Sequence, residues 1–312
     1  MAHLVESMMY VRETPWHGLG TKVETAPTSA EALRLAGLDW DVVSRPIFNE
    51  NGTEIPGWKA NVRATDNATL GVVTDRYRIC QNTEAFSFTD NLVGGDVRYE
   101  TAGSLRGGKA IWLLAKLPQT KVAGDEVDPY LCFTNTHDGS GAIRACVTPI
   151  RVVCNNTLNL AFRGAERQWK TKHVGDLNCK IAEAREVLAF SEEYMYALNQ
   201  KADDLANAHI TRETLAEILK EMWPVSEEDT DRKKETVKKT IDEYMVCYFA
   251  PDIQKFMGSA WGAINAMSDM VTHNTPKRHT TNYRENNWGR IIDGHPVLDA
   301  FTKKVMERVG VK

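Results

Sequence analysis

TAGSLRGGKAIWLLAKLP, residues 101–118, decides between two folds. Gly103, Gly108 and Lys109 reproduce the Gly-x-x-x-x-Gly-Lys spacing of a phosphate-binding loop, which needs a helix after it and a Ser or Thr hydroxyl for magnesium. Residue 110 is Ala, and AIWLLAKL runs into Pro118 too soon for that helix. The stretch therefore reads as two strands joined by a glycine-rich hairpin, with Arg106 and Lys109 at its tip. A positive finger of this kind can touch phosphates, but it is not a signal for ATP hydrolysis.

The flanking sequence agrees with an antiparallel sheet. DWDVVSRPIF (39–48), WKANVRAT (58–65) and TLGVVTDRYRI (69–79) are short β-rich runs, and Asn51-Gly52 is a hairpin signal between the first two. Downstream, YLCFTNT (130–136) and AIRACVTPIRVVC (142–154) continue the pattern with imperfect alternation, as for strands buried on both faces. Two helices interrupt the strands. One opens on Thr28 with Glu31 three residues later, a capping box, and ends at Gly37. The other covers 82–93, opened by Asn82 or Thr83 and closed by Gly94-Gly95.

Beyond Cys154 the pattern turns helical. Asn155 and Asn156 are good caps for a short helix reaching about 166. A long helix over 176–207 carries Leu177, Ile181, Ala184, Leu188, Met195, Leu198, Ala202 and Leu205 as a packing seam. Ile210, Thr211 and Leu215 form a hydrophobic staple on the next helix, which stops at Trp223-Pro224. Further helices are expected at 231–248, 252–272 and 296–309. The expected fold class is α+β, with an antiparallel-sheet-containing β-rich domain over 1–165 and a helical region over 166–312.

Length and composition, 312 residues with 42% hydrophobic and 26% charged, suit a soluble globular chain of one elaborated domain or two. There is no apolar run of membrane-spanning length and no secretory leader pattern. Six dispersed cysteines read as reduced thiols, so the expected location is cytoplasmic. The net charge of −4 hides an asymmetry: residues 130–180 carry seven Lys/Arg against three Asp/Glu, and both flanks are acidic. A smaller basic cluster, Lys277, Arg278, Arg284 and Arg290, lies in 273–290. Local positive charge inside an acidic average is how a polyanion groove is concealed.

Several chemistries compete on that background. Cys146, Cys154, His137, His173 and Cys179 lack the tight spacing of a structural zinc knuckle, so no metal is expected. Nothing signals a lowered thiol pKa at Cys146 or Cys154, so no catalytic residue is assigned. His137-Asp138-Gly139-Ser140 reads either as a turn in which Asp138 caps its own backbone, or as a ligand loop. The run Arg144, Arg151, Arg163, Arg167, Lys170 and Lys172, with Trp169 inside it, has the composition of a single-strand-binding surface: cations for the phosphates and an aromatic ring for a base. Arg144 and Arg151 are seven apart, so an uninterrupted strand puts them on opposite faces unless Pro149 bends it. Trp169 reads equally well as a buried junction residue.

PWHGLG (15–20), TAGSLRGGKAIWLLAKL (101–117), THDGSGAIRACVTPIRVVCNNTL (136–158) and GSAWGAINAMSDMVTH (258–273) together resemble the phage/plasmid-like protein family of laterally transferred elements, domain of unknown function 932. The β-rich part followed by helices is also similar to the ring-forming, Rad-type single-strand annealing proteins, in which PWHGLG has no counterpart. The resemblance implies a non-enzymatic, oligomeric single-stranded-DNA-binding protein, without cofactor, acting in annealing and DNA recombination. Backbone contacts would come from Arg144, Arg151, Arg163, Arg167, Lys170 and Lys172, with Arg106 and Lys109 as a second finger. The alternative is an anti-defence or host-protein-binding module without nucleic-acid binding, favoured by the acidic balance and the helical seam. A cryptic enzyme using His137, Asp138 and a cysteine is a third reading.

Overall fold

The computed structural model describes residues 5–11, 20–94, 97–151, 156–157, 168–273 and 295–311, with backbone alone described at 150, 151, 156, 157, 178 and 187–192. The chain is mixed α+β, with the sheets in its N-terminal half and most helices in its C-terminal half. It divides into two compact units whose segments interleave. The first comprises Met1–Pro118, Tyr130–Val147 and Glu166–Ser191, and the second Gln119–Pro129, Thr148–Ala165 and Glu192–Lys312.

In the first unit, strands β1 (Val5–Val11), β2 (Thr21–Val23), β6 (Arg98–Leu105), β7 (Ala110–Lys116), β9 (Asp125–Thr136) and β10 (Ile143–Arg151) run in the order β10-β9-β7-β6-β1-β2. β12 (Gln168–Thr171) also pairs with β10. β3 (Val42–Phe48), β4 (Glu54–Arg63) and β5 (Thr69–Thr74) form a separate antiparallel sheet. Its β3–β4 turn is held by the Asn49 side chain, whose Oδ1 accepts from the N–H groups of Asn51 and Thr53 at 3.0 and 2.9 Å.

The 101–118 stretch is the β6–β7 hairpin, with no helix after it. Arg106, Gly107 and Gly108 all take positive φ at its tip, which is why glycines crowd there. Gly103 lies directly opposite Trp112; a Cβ at Gly103 would fall well inside contact distance of that ring, so glycine lets the indole cross the neighbouring strand. Trp112 then donates from Nε1 to Thr101 Oγ1 at 2.8 Å. β7 is buried along nearly its whole length, as a central strand covered on both faces must be.

Helix α1 (Ser29–Leu35) begins with the expected box: the Glu31 carboxylate accepts from the Thr28 N–H at 3.0 Å and the Thr28 hydroxyl at 2.9 Å. Helix α2 (Asn82–Val93) is capped by Gln81 rather than Asn82 or Thr83. Gln81 is fixed from outside the helix, because its amide exchanges two hydrogen bonds with the Val42 backbone at 2.9 and 2.8 Å. Asn82 turns inward instead.

The second unit is built on α3 (Ile181–Asn207, which begins in the first unit), α4 (Arg212–Met222), α5 (Asp231–Tyr248), α6 (Ala260–His273) and α7 (Pro296–Val309). Leu198, Ala202 and Leu205 of the expected seam are fully buried here, in one core with Ile218, Tyr244, Trp261, Met267 and Phe301. Thr211 caps α4, its Oγ1 accepting from Thr214 N at 3.1 Å, and Ile210 and Leu215 on either side are both buried in this core. α6 starts eight residues later than expected, because Gly258 takes positive φ (82°) before it. Strands β8 (Thr120–Val122) and β11 (Asn156–Thr157) complete the unit, pairing with the first residues of β9 and the last of β10.

Three further expectations change. Asn156 and Thr157 pair as strand with Arg151 and Ile150 instead of opening a helix; residues 158–166 lie outside the described residues. Gln168–Thr171, expected in a helical region, returns to the sheet as β12. The long helix begins at Ile181, after a 3-10 turn over Asn178–Lys180. No described helix is long and apolar enough to cross a membrane.

Candidate nucleic-acid interface

The β10–β12 ladder sorts the basic segment by face. Ile143, Ala145 and Val147 on β10 share a face with Trp169 and Thr171 on β12, and all five are buried. The register puts Arg144 directly opposite Lys170, on the other face, and Lys172 follows two residues beyond Lys170 with the same alternation. Lys170 and Lys172 are exposed and Arg144 is half-buried. Three of the expected backbone-binding residues are thus gathered at one corner of the sheet. β10 continues through Pro149 without a break to Arg151. The Arg151 side chain lies outside the described residues, as do Arg163 and Arg167, the PWHGL part of PWHGLG, and Lys277, Arg278, Arg284 and Arg290.

Trp169 is a core residue. It is 2% exposed, and its indole stacks on Phe88 of α2 with ring centroids 5.2 Å apart. The ring that was to stack on a base is therefore spent on packing helix against sheet. The signal was in the sequence: QWKTK alternates, with Trp169 and Thr171 inward and Lys170 and Lys172 outward. Exposed aromatic rings lie elsewhere among the described residues, on Phe48 (56%) and Trp58 (48%) of the small sheet and on Tyr196 (68%) and Phe249 (46%).

Arg106 also departs from its expected role. Its guanidinium is held to the His-Asp-Gly-Ser turn, 3.4 Å from the Asp138 carboxylate and 3.4 Å from Ser140 Oγ. Lys109 is half-buried beside it, and its carbonyl accepts from the His137 N–H at 2.7 Å.

The His137–Ser140 turn is a structural joint. Asp138 Oδ1 accepts from Ser140 N at 2.9 Å, so Asp138 does cap its own backbone. β5 lies against it: a Cβ at Gly71 would stand 2.5 Å from Asp138 Cα. Asn61 of β4 donates to the His137 carbonyl at 2.7 Å. The small sheet is thereby fastened to the β9–β10 connection through the Asn61 side-chain hydrogen bond and a close backbone approach at Gly71 that leaves no room for a larger residue.

His137 itself is fully buried, edge-on to Trp40 at 5.5 Å. Asn82 Nδ2 donates to the carbonyls of Leu38 and Trp40, which leaves Asn82 Oδ1 as an acceptor, 3.1 Å from His137 Nε2. His137 must then carry its proton on Nε2 and remain neutral, with Nδ1 buried and unpartnered. Burial, and secondarily the nearby His173, push its pKa down to about 3 against a small opposing effect of Asp138. His173 is lowered as well, by burial, while its ring stacks on Tyr77 at 4.3 Å. Cys146 is 1% exposed and burial pushes the Cys80 thiol up, as for thiols packed in a core, while Cys154 lies outside the described residues. Among the described residues no group of three or more His, Cys, Asp or Glu is arranged to hold a metal ion.

Residues 69–290, well over half of the chain, match the model of the family described as Domain of unknown function (DUF932). The chain belongs to this family. The DUF932 region runs from β5 to beyond α6, so it contains the His-Asp-Gly-Ser turn and the β10–β12 ladder, whereas α1 and β1–β4 precede it. No curated protein and no solved structure matches the chain.

Proposed function

We propose that this DUF932 protein is a non-enzymatic single-stranded-DNA-binding protein, an annealing factor of the Rad type borne by a phage or plasmid, working as a cytoplasmic homo-oligomer. The observation that carries the reading is the cross-strand pairing of Arg144 with Lys170, extended by Lys172 on the same side. An anionic backbone laid across these ammonium and guanidinium groups gains charge-assisted contacts and releases counterions.

In this mechanism the phosphates track over the outer corner of the β10–β12 ladder, and base edges stay outward for pairing with a second strand. Neighbouring subunits lengthen the track. Stacking, which Trp169 cannot supply from the core, falls to Trp58. The test is an anisotropy titration of a labelled oligothymidylate at two salt concentrations. Three contacts per subunit predict an affinity loss of about twentyfold for a fourfold rise in salt, from a slope of about −0.7 per contact. Undetectable binding, or binding indifferent to salt, would overturn the reading in favour of a protein-binding module.

A further inference from the structure

A groove of about 460 Å³ lies in the second unit, where the end of α4 meets α5. Trp223 and Val225 line one side, and Val237 and Ile241, one turn apart on α5, line the other. Val225 is 42% exposed, so it offers apolar surface at the mouth of the groove. The rim is cationic. Lys220 stands on α4, and Lys234 and Lys238 on the same α5 face as Val237 and Ile241; Asp242 is the single carboxylate.

Several cations next to the groove have carboxylate partners. Lys233 is bound to Asp229 at 2.8 Å, Lys239 to Glu243 at 3.6 Å, Lys304 to Glu221 at 2.7 Å and Arg308 to Glu217 at 2.8 Å. Among the described residues Lys220, Lys234 and Lys238 form no ion pair. Lys234 donates to the Glu227 carbonyl at 2.8 Å, which anchors its ammonium and leaves the charge uncompensated. Asp229 of the acidic loop before α5 does not neutralise the rim, since it is held by Lys233 and the Ser226 N–H. The three lysines that face the groove are thus left without a carboxylate partner among the described residues, while Lys233, Lys239, Lys304 and Arg308 beside them have one.

The geometry points to this groove as a docking site for an acidic peptide segment of a partner protein, carrying a bulky apolar side chain flanked by aspartates or glutamates. The apolar side chain would enter between Trp223 and Ile241, and its flanking carboxylates would meet the three lysines. Nucleic acid fits less well. A base needs a flat aromatic face to stack on, whereas Val225, Val237 and Ile241 offer branched aliphatic walls and Trp223 is half-buried against the helical core.

The test uses the full chain and a labelled dodecapeptide with a central Leu-Phe pair among aspartates and glutamates, followed by anisotropy in low salt. Saturable binding is expected. It should weaken at least about tenfold in Lys234→Glu/Lys238→Glu, in Val225→Asp, and when Leu-Phe is replaced by Ser-Ser in the peptide. Lys220, Lys238 and Val225 are exposed and Lys234 is half-buried, and melting curves would show that each variant remains folded. Absence of saturable binding by the natural chain, or binding unchanged in both variants, would overturn the proposal. So would displacement of the peptide by oligothymidylate whose own binding is lost in the same variants, because the occupant would then be nucleic acid. Lys170→Gln/Lys172→Gln should leave peptide binding intact, which separates this site from the β10–β12 ladder.

Discussion

Replacing His137 with Gln removes a titrating group from the joint between the two sheets of the first unit while keeping an N–H to donate to Asn82. In the unfolded chain His137 titrates near 6.5; in the folded protein burial holds it down to about 3. Above about pH 6.5 both states are neutral there and the group contributes no pH dependence. Below it the unfolded chain takes up a proton that the folded protein refuses, so stability falls with pH at about 1.36 kcal/mol per pH unit. From about pH 7 to about pH 5 the loss attributable to His137 is about 2 kcal/mol. His173, also lowered by burial, adds a loss of the same sign.

Urea unfolding of the natural chain and His137→Gln at both pH values gives the comparison, with midpoints converted through their slopes. The natural chain should lose about 2 kcal/mol more than the variant over this interval. Parallel losses, or a natural chain whose stability is flat over it, would refute a neutral buried histidine with its proton on Nε2.

Other substitutions separate packing from binding. Trp169→Ala should cost about 3–5 kcal/mol of stability, as for other buried tryptophans, read by chemical denaturation. Trp58→Ala, at an exposed position, should leave the melting temperature nearly unchanged and weaken oligothymidylate binding by about 1–3 kcal/mol per stacked base. Gly71→Ala should destabilise the chain by about 1–3 kcal/mol, because the new methyl group meets the Asp138 backbone rather than a movable side chain.

Much of the fold was legible because its signals are local. The Thr28–Glu31 box, the Thr211 cap and the glycine tip at 106–108 each depend on a few neighbouring residues, and each is present. α7 runs over Pro296–Val309 with proline at its first turn and Gly310 in the left-handed region after it, both readable directly. What was missed depends on distant partners. Gln81 is a poor cap by composition and serves as one because Val42, thirty-nine residues away, fixes its amide. β12 is only four residues long, and basic residues outweighed its period-two alternation. Trp169 drew attention as an aromatic among cations, but Phe88 decides where its ring goes. Arg106 looked like a free finger because Asp138 and Ser140, more than thirty residues on, are invisible as partners in the sequence.

The central claim is that cations on the outer face of the β10–β12 ladder hold a single-stranded phosphate backbone. The most direct measurement is the slope of log affinity against log salt for oligothymidylate, compared between the natural chain and Lys170→Gln/Lys172→Gln. Loss of two phosphate contacts should make the slope shallower by about 1.4. An identical slope in the two proteins would contradict the claim, since the strand would then be bound elsewhere on the molecule.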